Sequence, residues 1–293
     1  MDLGFLLLQL LTGLAYASTL FLLSVGLSLI FGAMGIVNFA HGSFYMLGAY
    51  LLYAFTRGQA EGFWQGLLWV MAAGLVIGAL VERLLIRPIY RRPEEYQILL
   101  TYAILLMLED LVRFLFGAGY RSFPFPPAFS SPLLLLGTAF PSYYVFLLGL
   151  AAAFAFLLWA FLHRTRLGTW VRAATQDREM LEALGINVPL LYTAIFGLGI
   201  AMAAIGGAAL LPLQAATPGM AVDAVINAFI VVVIGGLGSV WGALLGAVLI
   251  GLLQAFGILF LPEMAMVFPF ALMALVLLLR PWGLLGRPPA VRT

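Results

Sequence analysis

Asn38 and His41 stand three residues apart, with Phe39 between them, bracketed by Gly35 and Gly42, in a stretch that has no charged side chain from Leu3 to Thr56. An amide and an imidazole in so apolar a run are costly unless they find partners or line a water-filled path. Gly35 and Gly42 allow backbone angles or close approaches that other residues resist. If the turn between them stays helical, Asn38 and His41 share one face. Two readings follow. Either the pair satisfies backbone groups freed at a helix break, or Asn38, Phe39, His41 and Gly42 line a permeation path or its gate. A second glycine-rich interruption, "VVIGGLGSVWGALLGAVLIG", carries Gly238, Gly242 and Gly246 at four-residue spacing. That spacing predicts a seam along one helix face where a neighbouring backbone comes close.

Other chemistries find little purchase. The two histidines, His41 and His163, are far apart, and there is no H-E-x-x-H or G-x-S-x-G. No acid-rich pattern suggests a metal site, and no cofactor is implied. Cysteine is absent, which excludes disulfides and thiol catalysis. All 14 basic residues are arginines. A P-loop needs its lysine, so ATP energy would have to come from another subunit, and the chain itself reads as no enzyme. Nothing points to nucleic acid.

The elements that hold these residues are set by composition. The chain has 293 residues, 64% hydrophobic and 9% charged, where soluble domains carry about 25% charged residues. Lipid must therefore be part of its solvent. The apolar runs are long and continuous, which predicts helices rather than a barrel. Met1-Asp2 offers no basic segment, so the first run is expected to be a retained span. Spans are predicted over 3–31, 43–56, 63–81, 96–116, 143–162, 190–211, 222–234, 239–261 and 264–280. Of these, 43–56 and 222–234 are short enough to be half-helices or tilted segments. The expectation is a single all-α polytopic membrane domain over 1–293, with eight to nine spans, nine preferred. The two Gly-broken stretches near the chain's ends raise an inverted repeat as a hypothesis.

Arginine placement predicts sidedness. Arg83, Arg87, Arg91 and Arg92 form one cluster, Arg164, Arg166, Arg172 and Arg178 a second, and Arg280, Arg287 and Arg292 a third. All three are expected on the cytoplasmic side, with the carboxyl terminus. The loop 117–132, rich in Pro, Ser and Phe, is expected outside, as an ordered cap or a simple connector. Glu109 and Arg113, four apart, are expected to pair.

The strip 164–189 differs in kind, being charged and helical in pattern. Met180, Leu181 and Leu184 recur at helical spacing opposite Arg178, Glu179 and Glu182. Thr175 or Asp177 can cap its start, Gly185 can end it and Pro189 can open the next span. Its mixed charges favour a protein partner over a lipid surface.

Three blocks together resemble a known family. "GLSLIFGAMGIVNFAHGSFYMLGAY" (26–50), "RAATQDREMLEALGINV" (172–188) and "VVVIGGLGSVWGALLGAVLIG" (231–251) are similar to signatures of the LivH-type permeases of bacterial branched-chain amino acid ABC transporters. The resemblance implies a permease in the bacterial inner membrane. It implies a second related permease, two ATPase subunits and an external substrate-binding protein as partners. It also implies that the cytoplasmic loop docks on an ATPase, through Arg172, Asp177, Arg178, Glu182, Ala183 and Gly185. There "EALG" resembles the family's E-A-x-x-x-G element with fewer residues before the glycine. Related permeases carry urea, amides or other amino acids, and these stay open as substrates. A self-contained secondary transporter is the competing class.

Overall fold

The computed structural model describes residues 3–90, 92–135 and 137–286. Arg91, Arg287 and Arg292 of the arginine clusters, and the Met1-Asp2 start, lie outside the described residues. All nine predicted apolar segments are helices: α1 (Leu3–Met34), α2 (His41–Thr56), α3 (Phe63–Val81), α4 (Glu94–Phe116), α5 (Ser142–Arg164), α8 (Val188–Leu210), α9 (Met220–Gly235), α10 (Val240–Phe260) and α11 (Phe268–Leu279). Between α5 and α8 lie two short helices, α6 (Arg166–Ala174) and α7 (Arg178–Ala183). The chain is thus an all-α polytopic membrane protein.

Lengths sort the helices. At 1.5 Å per residue α1 extends about 48 Å, more than a bilayer core, whereas α2 and α9 reach about 24 Å and α11 about 18 Å. The centre is built by α1 and α8, which are buried along most of their length. Small residues let them meet: a Cβ on Gly26 would run into the Gly199 carbonyl of α8. α8 meets α2 just as closely, Gly207 lying against the Tyr45 carbonyl and Gly48 against the Ala204 carbonyl. α3 and α5 are mostly exposed along their spans, as expected of helices that face lipid or a partner chain.

The interruptions differ from helical expectation. Residues 35–40 are not helical, so Asn38 and His41 do not share a helix face; His41 instead opens α2. Gly35 makes the break with φ +67°. Gly238 likewise lies outside a helix, in the turn before α10 with φ +80°, so the predicted three-glycine stripe does not exist. Gly242 and Gly246 do form a seam, packing on Gly235 and Val231 of α9, whereas Gly238 meets Gly32 of α1. The helix predicted within 164–189 is two helices, because Asp177 starts a new one after Thr175 and Gln176.

The arginine-bearing connections meet at one end. Arg87 Nη2 donates to the Pro189 carbonyl (3.1 Å). Arg172 and Gln176 share a cleft of about 510 Å³ with Gly32, Gly238 and Gly286. At the opposite end the 117–132 loop is ordered: Phe123 is buried, and Arg121 pairs its backbone with Ala216. A small hairpin follows, β1 (Leu133–Leu135) antiparallel to β2 (Thr138–Phe140). Near that end Arg113 pairs with Glu109, as the spacing predicts.

Candidate functional site

The α1–α2 break holds an unusual set of polar groups. Asn38 and His41 are completely buried. His41 Nε2 donates to the Leu23 carbonyl of α1 (2.8 Å), which leaves Nδ1 as an acceptor without a partner. Both amide atoms of Asn38 also lack a protein partner, as do the buried Ser24 and Ser28 hydroxyls on α1, the helix His41 bonds to. Each such group costs about 1–3 kcal/mol when left unsatisfied. The backbone freed at the break is tied by its own groups, Gly35 N–H to Phe31 O (2.8 Å) and His41 N–H to Asn38 O (3.2 Å). Of the proposed gate residues, Phe39 is half-buried and pairs with Phe229 of α9, ring centroids 5.1 Å apart. Gly42 is held by contact, since a Cβ would enter the Ala221 carbonyl of α9. Asn38, Phe39, His41 and Gly42 therefore gather where α1, α2 and α9 converge.

The second candidate surface is α6–α7, at the arginine end. Thr165 caps α6, its hydroxyl accepting from Gly168 N–H (3.0 Å), a cap absent from the sequence expectation. Asp177 rather than Thr175 caps α7, accepting from Met180 N–H (2.9 Å). Gly185 ends α7 with φ +79°, and Pro189 opens α8. Arg178 Nε pairs with Glu182 Oε1 at 3.0 Å, and Ala183 is the last residue of α7. Arg172 donates to the Leu162 carbonyl, fixing α6 to α5. The apolar stripe is divided: Leu181 is buried at 3% exposure, but Met180 (58%) and Leu184 (70%) face outward. An exposed Met–Leu pair flanked by mixed charges is chemistry suited to a protein partner.

Between the surface helices and the spans lies a cluster that sequence reasoning missed. Glu82 ends α3 in a five-residue π-helical turn, Glu82–Ile86, and is wholly buried. Its carboxylate takes Arg87 Nε on Oε1 and Nη2 on Oε2, both at 3.1 Å. Thr193 of α8 donates to Oε2 at 2.7 Å, and the Tyr90 hydroxyl donates to Oε1. Burial, then the hydrogen bond to this carboxylate, pushes the Tyr90 phenol above its ordinary pKa. Arg178 of α7 lies 5.9 Å from the Tyr90 ring centre and 5.4 Å from that of Tyr192. A charge-assisted network thus runs from α7 through Tyr90 and Glu82 into α3 and α8. The signal available in sequence was one acid closing an apolar run, five residues before an arginine.

Comparison with known proteins places this arrangement. The family described as "Branched-chain amino acid transport system / permease component" matches residues 9–277. The chain belongs to that family. It is 33% identical to the high-affinity branched-chain amino acid transport system permease protein BraD of Pseudomonas aeruginosa, over 96% of this chain and 95% of the relative. It is 29% identical to LivH of Escherichia coli K12, a permease protein of the same description, again over 96% and 95%. A more distant relative is the fructose import permease protein FrcC of Rhizobium meliloti, 28% identical over 61% of this chain and half of that protein. No solved structure matches significantly. Membership makes the chain a transporter's membrane subunit, and the family resemblance drawn from its three sequence blocks holds.

Proposed function

We propose that this chain is the membrane-spanning permease of an ABC importer that moves branched-chain amino acids inward, driven by ATPase subunits in trans. The observation that carries the reading is the exposed α7 surface, Met180 and Leu184 beside the Arg178–Glu182 pair, in a chain without the lysine a P-loop requires. An ATPase docks there, and movement of α7 reaches α3 and α8 through the Glu82 network. The arginine end faces the cytoplasm by the positive-inside rule, so the carboxyl terminus does too, in a bacterial inner membrane. A second related permease completes the path, two ATPases bind below, and an external binding protein delivers substrate to the 117–132 end. Asn38, Phe39, His41 and Gly42 form the gate, and the whole chain is a single permease domain with 164–189 as its coupling loop.

The sugar-importing relative makes the substrate class a question of its own. The test is purification of the tagged permease from its native membrane with ATP hydrolysis assayed in the eluate. Two ATPases and a sister permease, with hydrolysis stimulated by a leucine-loaded binding protein, are expected. Stimulation by a sugar-loaded binding protein alone would overturn the substrate. A lone permease that transports without ATPases would overturn the mechanism.

A further inference from the structure

α9 carries an acid where lipid would forbid one. Its level in the bundle follows from contacts. Leu22 and Leu23 of α1 lie against Gly206 of α8, and Gly26 against Gly199. The Leu23 carbonyl receives His41, and the adjacent Gly42 abuts the carbonyl of Ala221. The first turn of α9 therefore sits level with residues 199–206 of α8, between the centre of that 23-residue span and its end at Leu210. From there α9 runs about 24 Å to the arginine end, where Gly235 packs on Gly242. It is a half-helix that begins inside the membrane.

One face of this half-helix is buried, through Ala221, Ala224, Val225 and Ala228. The other is not. Val222, Asp223 and Ile226 are exposed and Asn227 is half-buried, a stripe at i, i+1, i+4 and i+5. Phe229, three residues beyond Ile226, continues it and meets Phe39. Asp223 takes part in none of the four ion pairs among the described residues. The Tyr16 phenol of α1 lies near enough to interact with its charge, but a phenol does not neutralise a carboxylate; at this depth the group cannot face acyl chains and must face a cation or a water-filled path.

We infer that the Asp223–Asn227 face of α9 lines the substrate path, with the Asp223 carboxylate receiving the α-ammonium group of the transported amino acid. The chemistry of the stripe is that of the solute: a carboxylate and an amide for a charged head group, then Val222, Ile226 and the Phe39–Phe229 pair for an aliphatic side chain. The amide of Asn227 offers both donor and acceptor. Transport proteins place such sites at half-helices near mid-membrane, and the face opens away from this chain's own core. The inference rests on the importer reading above and adds to it the residue that recognises the ammonium group.

The experiment uses the full complex, reconstituted with its ATPases and binding protein, and follows leucine uptake. If the wild-type complex does not couple uptake to ATP, the importer reading itself fails, independently of Asp223. Given a working complex, D223N is expected to lower uptake about tenfold or more, the scale of one lost charge-assisted contact, while the permease pair still co-elutes. D223E should recover part of the rate. Because the chain has no native cysteine, D223C provides the one thiol of this subunit, which is recovered separately to read its modification. A cationic, water-soluble thiol reagent should modify it, as it would not modify a side chain held against acyl chains. Uptake by D223N within about twofold of wild type would overturn the assignment. So would dissociation of the permease pair in D223N together with shielding of the D223C thiol from reagent, since Asp223 would then serve a cation of the sister subunit.

Discussion

The Thr193 hydroxyl of α8 donates to Glu82 Oε2, just past the end of α3, across 2.7 Å, and the same carboxylate oxygen accepts from Arg87 Nη2 at 3.1 Å. Residues 111 positions apart are thereby joined at the point where α3 unwinds into a π-turn. A wholly buried carboxylate is tolerated because its oxygens are occupied by charged or hydroxyl donors. Removing one partner is a different matter from removing both.

Arg87→Met should therefore destabilise the permease by about 3 kcal/mol, since it strands a buried charge. The double change E82Q/R87M should recover much of that loss, because no charge then remains to be stranded. Thermal unfolding of the four combinations in detergent gives the coupling directly. Additive losses would mean that the pair is not the unit described here.

Gly35 and Gly48 should respond oppositely to side-chain chemistry. Gly35 has open space around its Cβ position and is constrained only by φ +67°. Gly35→Asn should thus be tolerated, and Gly35→Val should not, by about 1–2 kcal/mol. At Gly48 φ is ordinary but a Cβ would enter the Ala204 carbonyl. Even Gly48→Ala should cost about 1–3 kcal/mol by forcing α2 from α8, and Asn should be worse. Folded yield by size-exclusion chromatography separates the two cases; equal tolerance of Asn at both sites would refute the distinction.

Asn38 separates transport from folding. Its amide is fully buried and unpartnered, so Asn38→Leu removes a desolvated polar group without emptying its volume and should leave stability unchanged or raised. Uptake should nevertheless fall, by about tenfold if the amide meets substrate or water during passage. His41→Ala differs, because it breaks the bond to Leu23 O and also empties a wholly buried volume, so about 2–5 kcal/mol of stability should go with it. A loss of yield in Asn38→Leu that matches its loss of uptake would make the amide structural.

What the sequence alone makes legible here is what local pattern controls. Continuous apolar runs locate nine helices because a span must satisfy its backbone internally, and α3 is recovered with both ends correct. The break at Gly35 is visible too, the glycine lying at φ +67°, whereas Gly238, read as part of a helix face, lies outside one at φ +80°. What stays hidden is whatever depends on partners distant in sequence. Glu82 is unremarked until Thr193 and Tyr90 surround it, and Asp223 reads as an incidental acid until Gly42 and Gly206 set its depth. The split of the 164–189 strip at Thr175–Asp177 turns on a choice of cap, in which the Thr175 hydroxyl donates back to Arg172 O (2.7 Å) and leaves Asp177 to start α7.

That split bears on the final prediction. α7 has only six residues, too few for a helix to persist on its own propensity. Its position depends on the Asp177 cap, on buried Leu181 and on Arg178 over Tyr90 and Tyr192. Outward-facing Met180 and Leu184 contribute little to that anchoring, so M180E/L184E should leave folded yield near wild type while weakening ATPase docking by about tenfold or more. Replacing Glu182 and Gly185 should act differently. Loss of the Arg178–Glu182 pair frees Arg178, and any side chain at Gly185 strains a residue at φ +79°. The ATPases should then still bind, yet hydrolysis should proceed with reduced uptake per ATP. The ratio of substrate moved to phosphate released, measured beside co-purification of the ATPases, distinguishes a lost docking surface from a slipping one. Wild-type values in both measurements for both variants would remove α7 from the coupling path.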